Sequence, residues 1–395
     1  MPHFDFDQVI DRRAVPALKT HEMVLGKGGA NLFAAGVADM DFAAPPVVLA
    51  ALQDRLAHGV FGYETLPDQL LPALAQWLAV RHGWQVPQQH ILRAPNVLNI
   101  LAIAAALFSE PGDGVIVQPP VFFDFFDILR ENNRKIRLNP LIQTEGRYQM
   151  DFDHLERLAA EPRTKMIYLC NPHNPVGRVW TRAELTRLGE ICAAHNVLVV
   201  SDEIHGDISF TGHSYTPFAS LGPSFADNAI TALSPAKSFN IAACCSAFTV
   251  IGNPARRAAF QTENSRLTVN KNNAFASAAM VAAYENGGPW LESVLAYLQE
   301  NRDLVARRID RISGVSLTPA EGTFLLWLDF RGLGLAPDAL TDFLRNNAGW
   351  AITRGPAFGA QGIGFARLNI ACPRAVLDHA LTRLQQAVHA AGFTK

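Results

Sequence analysis

The chain predicts an α/β protein: a large domain with a mostly parallel sheet and helices on both faces, then a smaller α+β domain. Three observations carry this. From about residue 46 to 285, strand-like and helical segments alternate. The strand-like segments are apolar without interruption, as strands covered on both faces must be. Beyond about residue 286 the alternation stops, and a long helix, short strands and a last helix follow. The boundaries drawn are 1–45 for an N-terminal segment packing on the small domain, 46–285 for the large domain and 286–395 for the small one.

Taken in order, "NVLNILAIAAALF" reads as a helix and "GVIVQPP" as a short buried strand ended by two prolines. "FFDILRENN" suits a helix, "KIRLNPL" a strand, and "DFDHLERLAAE" a helix with Asp153 and Glu156 in capping-box spacing. "KMIYLCNP" is a strand running into a turn. Thr181 and Glu184 open "TRAELTRLGEICAAHN" with the same capping spacing, and "NVLVVSDEI" is a strand ending in acids. "NAITAL" and "AACCSAFTVIG" read as two further strands, with "WLESVLAYLQENRDLVARRIDRI" as the long helix of the small domain. Adjacent Cys244 and Cys245 then point to opposite faces of their strand.

Bulk properties exclude several classes. The 395 residues are 49% hydrophobic and 18% charged, enough for a large core. A net charge of −2 gives no nucleic acid or anionic membrane a reason to bind. The start, "MPHFDFDQVIDRR", is acidic where a signal peptide needs a basic head, and "ILAIAAALF" is too short to span a bilayer. Five cysteines, at 170, 192, 244, 245 and 372, form no CxxC or metal-ligand spacing. They read as small core residues in a reducing compartment, which points to the cytoplasm. No metal site is expected.

In an α/β sheet, ligands belong at the carboxyl ends of the strands. Those ends read "NPHNPVG" (171–177), "SDEIH" (201–205) and "SPAK" (234–237). Each has an ordinary reading: Asn and Pro make turns, Asp202 caps a loop, and Lys237 snorkels to water. Only seven lysines stand against 27 arginines, and Lys237 lies between two apolar strands. A lysine there is costly unless it is paired or does chemistry. Together the pieces suit an aldehyde cofactor. A desolvated lysine binds the aldehyde as an imine, a buried carboxylate keeps a pyridine nitrogen protonated, and Asn and His donors hold a phenolic oxygen. Ser234 and the amides at Val97 and Leu98, where "APNVLNILAIAAALF" starts a helix, suit a phosphate.

With these residues in place, the chain resembles the pyridoxal-phosphate enzymes of aminotransferase class I/II, and within them the cystathionine β-lyase-type C–S lyases. The carrying stretches are "IDRR" (10–13), "VADMDFAAPP" (37–46), "GVFGYETLP" (59–67), "CNPHNPVGRVW" (170–180), "SDEIHGD" (201–207), "KSFNIA" (237–242) and "GFARLNIACPR" (364–374). The resemblance implies an aspartate aminotransferase-like fold and pyridoxal 5'-phosphate as cofactor. It makes Lys237 the imine-forming lysine, Asp202 the partner of the pyridine nitrogen, and Asn174 and His205 the partners of the phenolic oxygen. It makes Phe122 the ring-stacking aromatic and Ser234 a phosphate ligand. Arg367 becomes the carboxylate-gripping arginine, and Ala38 a substrate contact. Tyr63 is implied to reach the phosphate from the other subunit of a homodimer.

Three departures stand out. Phe122 replaces the tyrosine common in this branch, keeping a stacking surface but losing a hydroxyl. Ala236 precedes the lysine where Ser or Thr is frequent. No phosphate-binding arginine follows the lysine within "IAACCSA". The implied reaction is β-elimination from an L-cysteine S-conjugate, with Lys237 serving as anchor and then as base. Transamination by the same residues, or a regulatory protein keeping the fold, are the alternatives.

Overall fold

Strands whose side chains are apolar on both faces form a sheet that helices must cover, and this constraint organises the molecule. The computed structural model describes residues 4–393. Its strands begin with β1 (Phe33–Ala34), β2 (Ile91–Ala94), β3 (Gly114–Val117), β4 (Lys135–Leu138), β5 (Ile142–Thr144) and β6 (Arg147–Gln149). They continue with β7 (Thr164–Cys170), β8 (Leu198–Asp202), β9 (Ala229–Leu233) and β10 (Ala247–Val250). The later part adds β11 (Ser316–Leu317), β12 (Leu325–Asp329), β13 (Trp350–Ala351), β14 (Thr353–Arg354) and β15 (Phe365–Asn369).

The main sheet runs β2-β10-β9-β8-β7-β3-β4. Strands β9, β8, β7, β3 and β4 pair in parallel, and β10 is antiparallel to both of its neighbours. The mostly parallel α/β sheet expected from the sequence is therefore present. Period-two alternation sends β7 side chains into two separate cores. Met166, Tyr168 and Cys170 pack with helix Val97–Phe108, while Ile167 and Leu169 pack with Leu185 and Leu188 of helix Arg182–Ala194.

The second sheet, β11-β12-β15-β14, is antiparallel, and helices Gly288–Ile309 and Arg374–Ala390 pack together beside it. Strand β1 pairs in parallel with β13, so the N-terminal segment joins this later part of the chain. The same segment also reaches the main-sheet part, where Asn240 brackets it. The Asn240 side chain accepts from the Met40 amide at 3.0 Å and donates to the Met40 and Phe42 carbonyls.

Local signals hold in part. The Thr181–Glu184 capping box forms as expected, with the Thr181 hydroxyl on the Glu184 amide and the Glu184 carboxylate on the Thr181 amide. The box assigned to Asp153 and Glu156 does not form. Helix Phe152–Ala159 starts earlier and is capped by Asp151, which accepts from the His154 amide at 2.9 Å. The strand read over "AACCSAFTVIG" begins only at Ala247. Cys244 closes a 3-10 turn, Ala242–Cys244, so it and Cys245 do not alternate across a strand. Both are half-buried, unlike the core residues Cys170, Cys192 and Cys372, because this turn follows the Lys237 loop instead of entering the sheet. The hairpin β5–β6 has no apolar alternation of its own, and went unread.

That hairpin is tied down by charge. Glu321 accepts from Arg147 and Arg178, both at 2.9 Å, and from the Val179 amide, while Arg178 also pairs with Glu184. Burial pushes the Glu321 carboxyl up, but Arg178, the Val179 amide and Arg147 together outweigh it and hold the group below the usual glutamate range. Stabilisation from this pair is therefore complete above pH 4.5, the ordinary value, and is lost as pH falls through the lowered one. Glu321→Gln leaves Arg178 short of a charge partner and should destabilise the fold by about 3 kcal/mol at neutral pH. Urea unfolding at pH 7 and at pH 4 checks this: the gap between wild type and variant should narrow at the lower pH.

Candidate active site

Three neighbouring parallel strands end side by side. Cys170 of β7 is in register with Asp202 of β8, and Asp202 with Ala232 of β9. The turns leaving these ends carry Asn174, Asp202, His205, Ser234 and Lys237, so residues dispersed over 64 positions meet at one sheet edge. The edge opens into a cavity of about 680 Å³ lined by Gly36, Ala38, Phe122, Asp124, Lys237 and Arg367, among others.

Lys237 is half-buried, and its Nζ donates to the Ala38 carbonyl at 2.6 Å. Burial and the Arg367 charge push its ammonium below the ordinary lysine range, so the neutral amine is more accessible here than in water. Asp202 is buried and accepts from the Ile204 amide at 3.1 Å. Burial pushes its carboxyl up to about 7, partly offset by the Ile204 amide and Lys237. A buried carboxylate held by one amide is short of a cation, and a protonated pyridine nitrogen supplies one. His205 is buried with its Nδ1 unpartnered and its ring edge-on to Phe324. Burial, then Lys237 and Arg367, push it well below its ordinary value, so it stands neutral with an open nitrogen.

Arg367 sits in β15, opposite Trp327 of β12 and Thr353 of β14. It is buried, and its Nη1 donates to Asn174 Oδ1 at 3.0 Å. Its Nη2 donates to the Gly36 carbonyl at 2.6 Å and to Thr353 Oγ1 at 3.3 Å, while its Nε is unpartnered. Burial lowers its guanidinium to about 9, opposed by the Asp124 charge.

Asn96 caps helix Val97–Phe108 through its side chain on the Asn99 amide, which leaves the Val97 and Leu98 amides without intrahelical acceptors. They fit an anion such as a phosphate. Ser234 uses its proton on the Ser246 carbonyl at 3.0 Å, so as a phosphate ligand it has to rotate. Phe122 lines the cavity, its ring tilted against Phe123 and edge-on to Phe125. Of the expected residues, Ala38, Phe122, Lys237 and Arg367 line the cavity, while Asn174, Asp202, His205, Ser234, Val97, Leu98 and Tyr63 are not in its lining. The Tyr63 side chain is fully exposed.

The sequence reading missed what positions the strap at 36–41. Lys19, 2% exposed, pairs with Asp41 at 2.9 Å, and Arg12 spans Asp39 and Asp41 at 2.6 to 2.9 Å. Asn369 donates to the Val37 and Asp39 carbonyls. This strap presents the Gly36 and Ala38 carbonyls to Arg367 and Lys237. The only sequence signal was the charge pattern of "DRR" against "DMD", whose partners lie more than 20 residues apart. Asp124 was missed as well, hidden in an aromatic run.

Among the described residues no cluster of His, Cys, Asp and Glu has the arrangement of a metal site, and no helix is long and apolar enough to cross a membrane. Residues 32–384 match the family profile described as aminotransferase class I and II. The cystathionine β-lyase PatB of Bacillus subtilis is 40% identical over 353 residues, covering 89% of this chain and 91% of that protein. Protein MalY of Escherichia coli is 33% identical, covering 98% of this chain and 99% of its own length. Cystalysin from Treponema denticola, solved with pyridoxal 5'-phosphate, superposes with a TM-score of 0.95 at 31% identity, covering 99% of this chain and all of that one. A profile spanning most of the chain, and relatives matched along nearly their whole length, place it plainly: it belongs to the aminotransferase class I and II family.

Proposed function

We propose that this chain is a pyridoxal 5'-phosphate-dependent carbon–sulfur β-lyase. Its substrate class is L-cystathionine or a related L-cysteine S-conjugate, which with water gives a thiol, pyruvate and ammonia. The observation that carries this reading is the half-buried Lys237 sharing one cavity with the buried Arg367, with the buried Asp202 in electrostatic reach of the lysine. The naming of the Bacillus subtilis relative as a cystathionine β-lyase, and the cofactor in the cystalysin structure, support it.

Pyridoxal 5'-phosphate, when bound, supplies an aldehyde for the substrate amine and a protonated ring that takes up the electron pair left at Cα. The protein does the rest. Arg367 holds the α-carboxylate and so fixes which Cα bond is presented. Lys237, favoured as a neutral amine by burial, takes the Cα proton. Asp202 would pair with the ring nitrogen, whose charge would favour its ionised form, and Asn174 and neutral His205 would hold the phenolic oxygen. Phe122 would pack against the ring without offering a proton, and the Val97 and Leu98 amides and Ser234 would hold the phosphate. The Cβ–S bond then breaks with its electrons on sulfur, and water converts the released enamine to pyruvate and ammonia.

The same reading takes residues 46–285 as the cofactor-binding domain, 286–395 as the small domain, and 1–45 as a segment bridging them. It takes the working form as a cytoplasmic homodimer, with Tyr63 reaching its partner's phosphate. Exposed Val60, Phe61 and Tyr63, and free cysteines throughout the described chain, support that form.

Purified holoprotein given L-cystathionine without any keto acid should release pyruvate continuously while its visible absorption persists. A single loss of absorption, reversed by a keto acid and without pyruvate, would mean transamination instead. Lys237→Ala should lower kcat by about a thousandfold or more with the far-ultraviolet dichroism unchanged, since it removes anchor and base together. Arg12→Ala releases Asp39 and loosens the strap, so kcat/KM should fall about tenfold in a folded protein; unchanged kinetics would show that the strap positions nothing.

A further inference from the structure

The cavity is larger than the alanine skeleton of a substrate requires, and its outer wall is apolar, formed by Phe123, Leu340, Leu344, Trp350 and Ile352. Four cationic side chains line it. Lys237 and Arg367 are engaged as described, Arg345 is tied to the Leu25 and Lys27 carbonyls, and Arg354 is exposed at the rim. One carboxylate lines it: Asp124, half-buried at the start of helix Asp124–Glu131. Among the described residues it makes no hydrogen bond or ion pair, and it lies in the field of Arg367. Its neighbour Asp127 faces away and pairs with Arg130 at 2.9 Å. Burial, then Asp127, push the Asp124 carboxyl up, and Arg367 pulls it back. Arg367 is spoken for by the α-carboxylate in the reading above. Asp124 is thus left as a half-desolvated anion in an apolar pocket, a place where an incoming cation gains more than it does in water.

We infer that Asp124 is a specificity-determining residue, which selects L-cysteine S-conjugates whose leaving thiol carries a cationic group, such as an ammonium. This rests on the lyase reading for its substrate class. A charge-assisted hydrogen bond of this kind is worth about 10- to 100-fold in affinity. Asp124 would therefore separate substrates of equal shape by charge. The α-carboxylate on Arg367 and the distal cation on Asp124 then hold the conjugate at two ends, with the Cβ–S bond between them.

The test compares three conjugates on holoprotein: S-(2-aminoethyl)-L-cysteine, neutral S-propyl-L-cysteine and anionic S-(2-carboxyethyl)-L-cysteine. Wild type should show kcat/KM in that descending order, the cationic conjugate leading the neutral one by about tenfold or more. Asp124→Asn should bring that ratio close to one, and Asp124→Lys should move the preference to the anionic conjugate. Dissociation constants for L-lysine and L-2-aminoheptanoate, which cannot lose a thiol, give the same comparison by calorimetry without turnover. A wild-type ratio near one, or a ratio that Asp124→Asn leaves intact, overturns the inference. Loss of activity toward all three conjugates in equal proportion also overturns it, since that marks a structural role. If no conjugate yields pyruvate, the lyase reading fails by itself, and the two affinities still decide the role of Asp124.

Discussion

A fully desolvated guanidinium organises the site. Arg367 is bonded to the turn after β7 through Asn174, to the strap through the Gly36 carbonyl, and to β14 through Thr353. Leaving such a cation without acceptors in the interior is costly, so all three segments are held where its nitrogens point. These segments come from the start, the middle and the end of the chain. This charge is one interaction that all three share. In the proposed reaction, an α-carboxylate in the same place would satisfy the requirement better than neutral oxygens do.

The rest of the site follows from that concentration of cations. Lys237 shares the cavity with Arg367 and is discouraged from being charged, as a base requires. His205 is pushed neutral by burial and by the same two cations. Asp202, the last residue of β8, is a buried acid in the field of Lys237. Parallel strands do the positioning: β7, β8 and β9 end in register, so the turns that follow them lie side by side at one sheet edge. The strap closes the remaining side, and it is held by the Arg12 and Lys19 pairs with Asp39 and Asp41, not by packing alone.

Much of this was legible in the linear chain. The sheet was readable because β7, β8 and β9 are covered on both faces and so are apolar over most of their length. Lys237, Asp202, Asn174 and His205 were readable because they stand directly after those strands, and Arg367 because its motif is distinctive. What escaped has a common cause. Asp153 lost the cap to Asp151 because two acids were equally placed and backbone entry angle chose between them. Cys244 and Cys245 have strand-like neighbours, but the turn that presents Lys237 continues through them. Hairpin β5–β6 is stabilised by Glu321, far away in sequence, through Arg147.

The sequence alone determined the layered α/β architecture, the ends of the strands and the chemical kit at those ends. Burial on two faces and the strand-to-turn transition are written in consecutive residues, and so can be read there. Only the tertiary structure decided which oxygen atoms hold Lys237 and Arg367, that the strap is pinned by ion pairs, and that Asp124 is an unpaired carboxylate inside the cavity. Those facts depend on distances between segments hundreds of residues apart. Charge and desolvation act through space, and no local pattern in the chain encodes them.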